Sequence, residues 1–275
     1  MPKHRLDRLL VDLDLCSSRQ LAQRWIQAGE VRVNGQIVDK PGTQIDTTAE
    51  IEIKARAPYV SRGGEKLVKA LQTFAISTVD RICLDGGIST GGFTDCLLQG
   101  GAKLVYGIDV GYGQVDWKLR NDPRVILKER TNLRYLQPEQ LYAADSPKPD
   151  FGVADVSFIS LSKILPAMWQ LLQPPREVVL LVKPQFEVGR DRVGKKGVVR
   201  DPQDHASAIT QVWQAANTLG WQYRGTVPSP IVGPAGNIEY LLWLGMESQE
   251  PGWDEAAISQ MTRTTREQQS LISNK

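Results

Sequence analysis

Apolar residues recur at helical spacing near the start of the chain and gather into short strand-like runs further on. In "RLDRLLVDLDL" the spacing puts Leu6, Leu9, Leu10 and Leu13 on one face of a helix. "CSSRQLAQRWIQAGE" predicts a second helix, with Ser17 and Ser18 as caps, Leu21, Ala22, Trp25 and Ile26 turned inward, and Gly29 at its end. "VRVNGQIV" reads as two short strands around an Asn34-Gly35 turn, a pair that favours a type I′ hairpin. "AEIEI" alternates as a further strand. Residues 1–57 are therefore expected to form a small α+β domain. In "KARAPYVSRGGEK" Pro58 breaks the preceding strand, Gly63 and Gly64 loosen the chain and basic residues dominate, which places a domain boundary at residue 58.

Beyond the boundary, helical and apolar strand-like segments alternate. "EKLVKALQTF" (helix) precedes "RICLD" (strand), "GFTDCLLQGG" (helix) and "AKLVYGID" (strand). Next come strands "RVILKE" and "DFGVAD", helix "LSKILPAMWQLL" and strand "EVVLLVKP". A long loop leads to helix "QDHASAITQVWQAANTLG" and to strands "YRGTV" and "EYLLWLG". Apolar strands separated by helices imply a parallel sheet covered on both faces. The loop joining the last two strands is too short for a helix, so the last strand should run antiparallel. The expected organisation is a small front domain, a doubly wound α/β domain over residues 58–249, and a polar, loosely packed tail over 250–275.

Composition narrows the class. The 275 residues carry a net charge of only +2, so clustering has to be read instead of the total. One basic cluster is Arg5, Arg8, Arg19 and Arg24 on the two front helices, with Lys3 and Arg32 nearby and Asp7, Asp12 and Asp14 interspersed. Another is the loop "GRDRVGKKGVVR", where Arg190, Arg192, Lys195, Lys196 and Arg200 face a single acid, Asp191. Guanidinium and ammonium groups in such clusters suit phosphate contacts. Cys16, Cys83 and Cys96 form no CxxC pair, and His4 and His205 lie far apart, so no metal centre is expected. The sequence "MPKHRLDRLL" has no apolar core of a secretion signal, and no run approaches a membrane span, so a cytoplasmic protein without a membrane partner is expected.

The stretch "DGGISTGGFTD", residues 85–95, lies in the first strand-to-helix turn of the large domain, where doubly wound sheets bind ligands. It lacks the Gly-Lys-Ser/Thr of a phosphate-binding loop and the GxGxxG spacing of a dinucleotide site. Asp85 opens it instead, and a carboxylate repels phosphate but suits a ligand with an amino group and positive charge. Asp109, at the end of the next strand, can accept hydrogen bonds from both hydroxyls of a ribose. An adenosine with an amino-acid tail and a sulfonium centre, S-adenosylmethionine, meets these requirements. The expected binding residues are Asp85, Gly86, Gly87, Ser89, Thr90, Gly91 and Asp109, with Asn132 standing where many methyltransferases place an aspartate for adenine.

The front segments "RLDRLL", "SSRQLAQRWIQAGEVRVNGQIV" and "KPG" resemble the S-four RNA-binding domain, whose helix pair lies against folded RNA. Together with "VSRGGEKL", "LDGGISTGGFTDCLL", "VYGIDVGYGQ", "ADVSFISL", "LLVKPQFE" and "GNIEYLLWL", nearly the whole chain resembles the TlyA family. These are ribosomal RNA 2′-O-methyltransferases with an FtsJ-like catalytic domain, also called hemolysin A. The resemblance implies a Rossmann-like class I methyltransferase domain that uses S-adenosylmethionine, with ribosomal RNA or ribosomal subunits as partner and a cytidine 2′-hydroxyl as acceptor. It also implies a catalytic tetrad at Lys66, Asp155, Lys183 and Glu239. Within it, Lys183 would accept the hydroxyl proton or orient the hydroxyl, Lys66 would be its cationic neighbour, and the two carboxylates would hold both in place. The competing readings are a cytolytic protein, as the older family name suggests, and a non-catalytic RNA-binding assembly factor. Oligomeric state and the ribosomal subunit modified stay open.

Overall fold

A computed structural model of the chain describes residues 3–13, 15–16, 18–54, 58–247 and 252–273. Ser17, Asp14, the linker residues 55–57 and the start of the tail at 250–251, all used above, lie outside the described residues. The chain divides into two compact units, 1–57 and 58–275.

In the front unit, β1 (Lys3–Arg5) leads into α1 (Leu6–Asp12), and α2 (Arg19–Gln27) follows. Next come β2 (Val31–Val33), β3 (Gln36–Ile37), β4 (Gln44–Asp46) and β5 (Ile51–Ile53). Leu6, Leu9, Leu10, Ala22 and Ile26 are buried in its core, as the helical spacing requires. Leu13 is instead exposed, because α1 has ended and Leu13 is its C-cap. Ser18 caps α2 by accepting from the Leu21 amide, and the hairpin turn has positive φ at Asn34 and Gly35. β1 pairs with β4, an element that the apolar pattern does not signal because both strands are short and mostly polar.

The second unit contains α3 (Gly63–Thr73), β6 (Ile82–Gly86), α4 (Gly92–Gln99), β7 (Leu104–Ile108), α5 (Trp117–Arg120) and β8 (Val125–Lys128). It continues through α6 (Pro138–Leu141), β9 (Phe151–Ala154), α7 (Leu165–Leu171), β10 (Glu177–Val182), α8 (Pro184–Glu187) and α9 (Pro202–Asn217). It closes with β11 (Gln222–Pro228), β12 (Tyr240–Gly245) and α10 (Glu255–Ser273). The described strands form a seven-stranded sheet in the order β11-β12-β10-β9-β6-β7-β8. β12 is antiparallel to both its neighbours, and the pairs from β10 to β8 are parallel.

Alternation along β10 explains the layers. Val178, Leu180 and Val182 enter one core with α7 and α9, while Val179 and Leu181 enter the other with α3 and α4. The expected helix "LSKILPAMWQLL" is broken: a 3₁₀ turn at Leu161–Lys163 precedes α7, whose second residue is Pro166. The tail differs more. α10 packs on α9 and buries Ile258 and Thr262, while Trp253 stacks face to face on Trp213 at 4.4 Å. Its apolar residues are sparse but fall on one face, and Trp253 supplies the anchoring area.

Candidate active site

The chain passes from β6 out to β7 and β8, then returns to β9 on the other side of β6. The strand order therefore reverses between β6 and β9, and a crevice opens at their carboxyl ends. Register sets what lines it. Gly86 is level with Ile108 and with Ala154, so Gly87, Asp109 and Asp155 are the first residues past three adjacent strand ends. Val182 is level with Tyr240 in the antiparallel pair, so Lys183 and Glu239 leave the sheet side by side. Residues from five strands thus meet along one edge.

Two cavities meet there. The larger, about 470 Å³, is lined by Gly87, Ser89, Asp109, Asn132 and Asp155, with Ile108, Val110, Leu133, Val156, Ile159 and Ile164 as apolar walls. The smaller, about 200 Å³, is lined by Lys66, Ser61, Arg62, Thr90, Asp155, Val232 and Pro234. They share Gly87, Ser89 and Asp155. Asp109 is oriented by the amides of Ser89 and Gly111, each 2.7 Å from one carboxylate oxygen.

The glycines do a different job from the one expected of a loop shaped by its ligand alone. Gly87 has φ +85°, and a Cβ there would lie 2.7 Å from the Asp155 carbonyl oxygen. At Gly92 a Cβ would lie 2.2 Å from Ser61 Oγ and 2.9 Å from the Gly64 amide nitrogen, so this glycine lets α3 close on α4 and carry Lys66 to the site. Asp85, Gly86 and Gly91 line neither cavity. Asp85 is fully buried: its Oδ2 accepts from Thr94 Oγ1 at 2.6 Å, and its Oδ1 finds no partner among the described residues. Burial, reinforced by Asp155 and Asp109 and opposed by the Thr94 hydrogen bond, pushes its carboxyl up to about 7. It supports the turn from beneath, and strand spacing alone gave no sign of that depth.

The four tetrad positions come together as two ion pairs, one buried and one half-buried at its carboxylate. Lys66 Nζ is 2.6 Å from Glu239 Oε2, and Lys183 Nζ is 2.5 Å from Asp155 Oδ1. Lys183 also donates to Ser157 Oγ at 2.9 Å. An ammonium has three hydrogens, so Lys183 keeps one for another acceptor. Ser157 went unnoticed in the sequence, although it follows Asp155 in "ADVSF". Phe158 is also new: it borders the larger cavity, is 91% exposed and has φ +65°. A bulky residue held there in a left-handed conformation marks a segment shaped for function.

The basic residues divide. Arg5 and Arg19 both bind Asp7, which is fully buried and also accepts from Gln23. The Arg5 hydrogen bond, helped by Gln23 and Arg19, holds the Asp7 carboxyl well below the usual carboxylate range. Arg19, with Gln23, ties α2 to Asp7 of α1, and Arg5 braces the same carboxylate from two residues away, while Arg8 and Arg24 are exposed. In the loop after α8, Arg190, Arg192, Lys195, Lys196 and Arg200 are all exposed, and Arg192 pairs with Asp204 at 3.3 Å.

A mostly parallel sheet with one antiparallel strand, a glycine turn at its switch point and a carboxylate past the neighbouring strand defines a Rossmann-like methyltransferase. The model of the FtsJ-like methyltransferase family matches residues 59–246, and that of the S4 domain matches residues 4–51. The chain belongs to the TlyA group of the FtsJ-like methyltransferase family, and its methyl donor is S-adenosylmethionine. It is 50% identical over 242 residues to the 16S/23S rRNA (cytidine-2′-O)-methyltransferase TlyA of Mycobacterium tuberculosis, covering 87% of this chain and 89% of that one. It is 43% identical over 237 residues to Hemolysin A of Brachyspira hyodysenteriae, covering 86% and 98%. The solved structure of a candidate hemolysin from Streptococcus thermophilus is 42% identical, with a TM-score of 0.74 and full coverage of both chains. Among the described residues, no helix is long and apolar enough to cross a membrane.

The larger cavity fits the methyl donor. Asp109, its oxygens oriented by two amides, would accept from the ribose hydroxyls, the apolar walls suit a purine, and Asp155 would face the cationic end.

Proposed function

We propose that the protein methylates a ribose 2′-hydroxyl of ribosomal RNA, at a cytidine. The observation that carries this reading is the pair of lysine–carboxylate contacts that put Asp155 in the wall shared by the two cavities and Lys66 in the wall of the smaller one. When bound, S-adenosylmethionine supplies an electrophilic methyl that needs little further activation. The chain's own task is the acceptor, because a ribose hydroxyl is a weak nucleophile.

Asp155 lies in the wall common to both cavities and fixes Lys183 there. Lys183 aims its remaining hydrogen, or after losing a proton its lone pair, at the acceptor oxygen. Lys66 lines the smaller cavity with Glu239 buried behind it as its partner, and together they hold the ribose in line. A cytosine C5 mechanism would need a nucleophilic cysteine, and Cys83 and Cys96 are buried with thiols pushed up to about 12, chiefly by burial.

The exposed arginines of the S4 domain and the basic loop after α8 give the RNA its phosphate contacts. The cytidine assignment follows the TlyA relatives from Mycobacterium tuberculosis and Campylobacter jejuni, whose names specify it.

The test is chemical. A ribose without its free 2′-hydroxyl cannot attack the neighbouring phosphate, so alkali should leave the labelled methyl in a dinucleotide containing cytidine. Label in a mononucleotide would mean a base acceptor and overturn the proposal.

A further inference from the structure

The basic loop 189–200 has an exposed crown and a bolted foot. Lys196, Gly189 and Gly197 take positive φ, so the loop turns sharply and lifts its cations into solvent. Its last turn is held differently. Asn237, 2% exposed, accepts from the Val199 amide at 3.0 Å and donates to the Gly197 carbonyl at 2.8 Å. One side-chain amide thereby satisfies both an N–H and a C=O of a loop that has no ladder of its own.

A second bolt lies beside it. His205 is fully buried, with Nε2 3.0 Å from the Val199 carbonyl and Nδ1 2.8 Å from Tyr240 Oη. A carbonyl only accepts, so Nε2–H donates to Val199 and the Tyr240 hydroxyl donates to Nδ1. That arrangement requires a neutral ring, and burial lowers the His205 pKa accordingly.

Asn237 and Tyr240 flank Glu239, the partner of Lys66. Both bolts therefore join the foot of the basic loop to the strand entry that carries the carboxylate partner of Lys66. We infer that Asn237 is a positioning residue that fixes the basic loop relative to the Lys66–Glu239 pair, so that phosphates gripped by the loop bring the acceptor ribose into register. This rests on the reading of the loop as an RNA contact. Without the amide, the cations would remain but sample many positions, and their phosphate contacts would weaken.

The full-length protein is tested in steady-state methylation of unmethylated ribosomal subunits, across a salt series. Three proteins are compared with the wild type: Asn237→Ala, a loop variant with Arg190→Ala, Lys195→Ala and Lys196→Ala, and their combination. The loop variant should raise KM for the subunits and flatten the log–log salt slope by about 2 to 3, one phosphate contact per removed cation. Asn237→Ala should raise the same KM about tenfold, the loss expected for about 1.4 kcal/mol, with a flattened slope, little change in kcat and an unchanged Kd for S-adenosylmethionine.

The combination should be no worse than the loop variant alone within about twofold, because the amide acts through those cations. Effects that multiply in the combination would overturn the inference while leaving the loop as an RNA contact. An unchanged KM in the loop variant would remove that underlying reading and the inference with it. If Asn237→Ala does not fold, Asn237→Ser keeps an acceptor for one of the two bonds and should show the same KM-selective loss in smaller measure. A loss of kcat with unchanged KM in that variant would overturn the inference.

Discussion

Asp85 gives the most demanding test, because its effect has a sign that depends on pH. Its carboxyl is fully buried, with one oxygen hydrogen-bonded to Thr94 and the other unpartnered. Burial pushes it up to about 7, from the usual carboxylate value of 3.8. A folded pKa above the unfolded one means the fold binds the proton more tightly. The contribution to stability is complete below about pH 4 and is lost as pH rises towards 7, after which it is flat. At about 1.36 kcal/mol per pH unit between those two values, the upper figure is about 4 kcal/mol between the two limits.

Asp85→Asn removes the titration. Its amide oxygen can still accept from Thr94, while its NH₂ takes the place of the unpartnered oxygen and costs about 1–3 kcal/mol at every pH. Whatever that constant cost, the variant should therefore gain on the wild type by about 2–3 kcal/mol between pH 5 and pH 8. Urea unfolding followed by tryptophan fluorescence at several pH values measures the difference directly. His205, with its lowered pKa, contributes the opposite slope, losing stability on acidification, but it is common to both proteins and cancels. A gap that stays constant from pH 5 to pH 8 would refute the account of Asp85 as a buried, proton-holding group.

Asp109→Ala removes the proposed ribose acceptor and should weaken S-adenosylmethionine binding by about 1–3 kcal/mol in calorimetry, with the fold intact; unchanged affinity would misplace the ribose. Lys183→Ala should lower the single-turnover methylation rate by a factor of about 10² to 10⁴ while sparing methyl-donor binding. Lys183→Arg should also fail, since a guanidinium does not give up its proton; near-normal turnover in either variant would end the assignment. Replacing Arg8 and Arg24 with alanine should weaken binding of ribosomal subunits and reduce its salt dependence without loss of stability. Asp7→Ala should instead destabilise the front unit, because Arg5, Arg19 and Gln23 lose their common anchor, and a thermal melt separates the two outcomes.

The site was legible in the sequence where chemistry and strand register coincide. Asp109, Asp155, Lys183 and Glu239 all stand at strand ends, and a strand end can be located from a run of apolar residues. The tetrad of Lys66, Asp155, Lys183 and Glu239 was named by resemblance; apolar runs place the last three at strand ends, whereas the helix pattern around Lys66 says nothing about which way that helix leans. Position along a strand also does not report depth, so Asp85 and Asp109 looked alike in the sequence although one is buried beneath the turn and the other faces the cavity. Likewise Arg19 and Arg8 are equivalent by composition, and only the fold of α1 against α2 commits Arg19 to Asp7.

By itself the sequence determined the two-part organisation, the alternation of elements and which residues stand at the strand ends, because periodicity and turn chemistry are local; the roles of the lysines and carboxylates among them came from the family resemblance. The tertiary structure decided which of those groups meet. Lys66 and Glu239 are 173 positions apart and touch only because Gly92 lets α3 close on α4 and β12 enters the sheet beside β10. Contacts over such separations depend on packing distances between whole elements, and no local pattern encodes those.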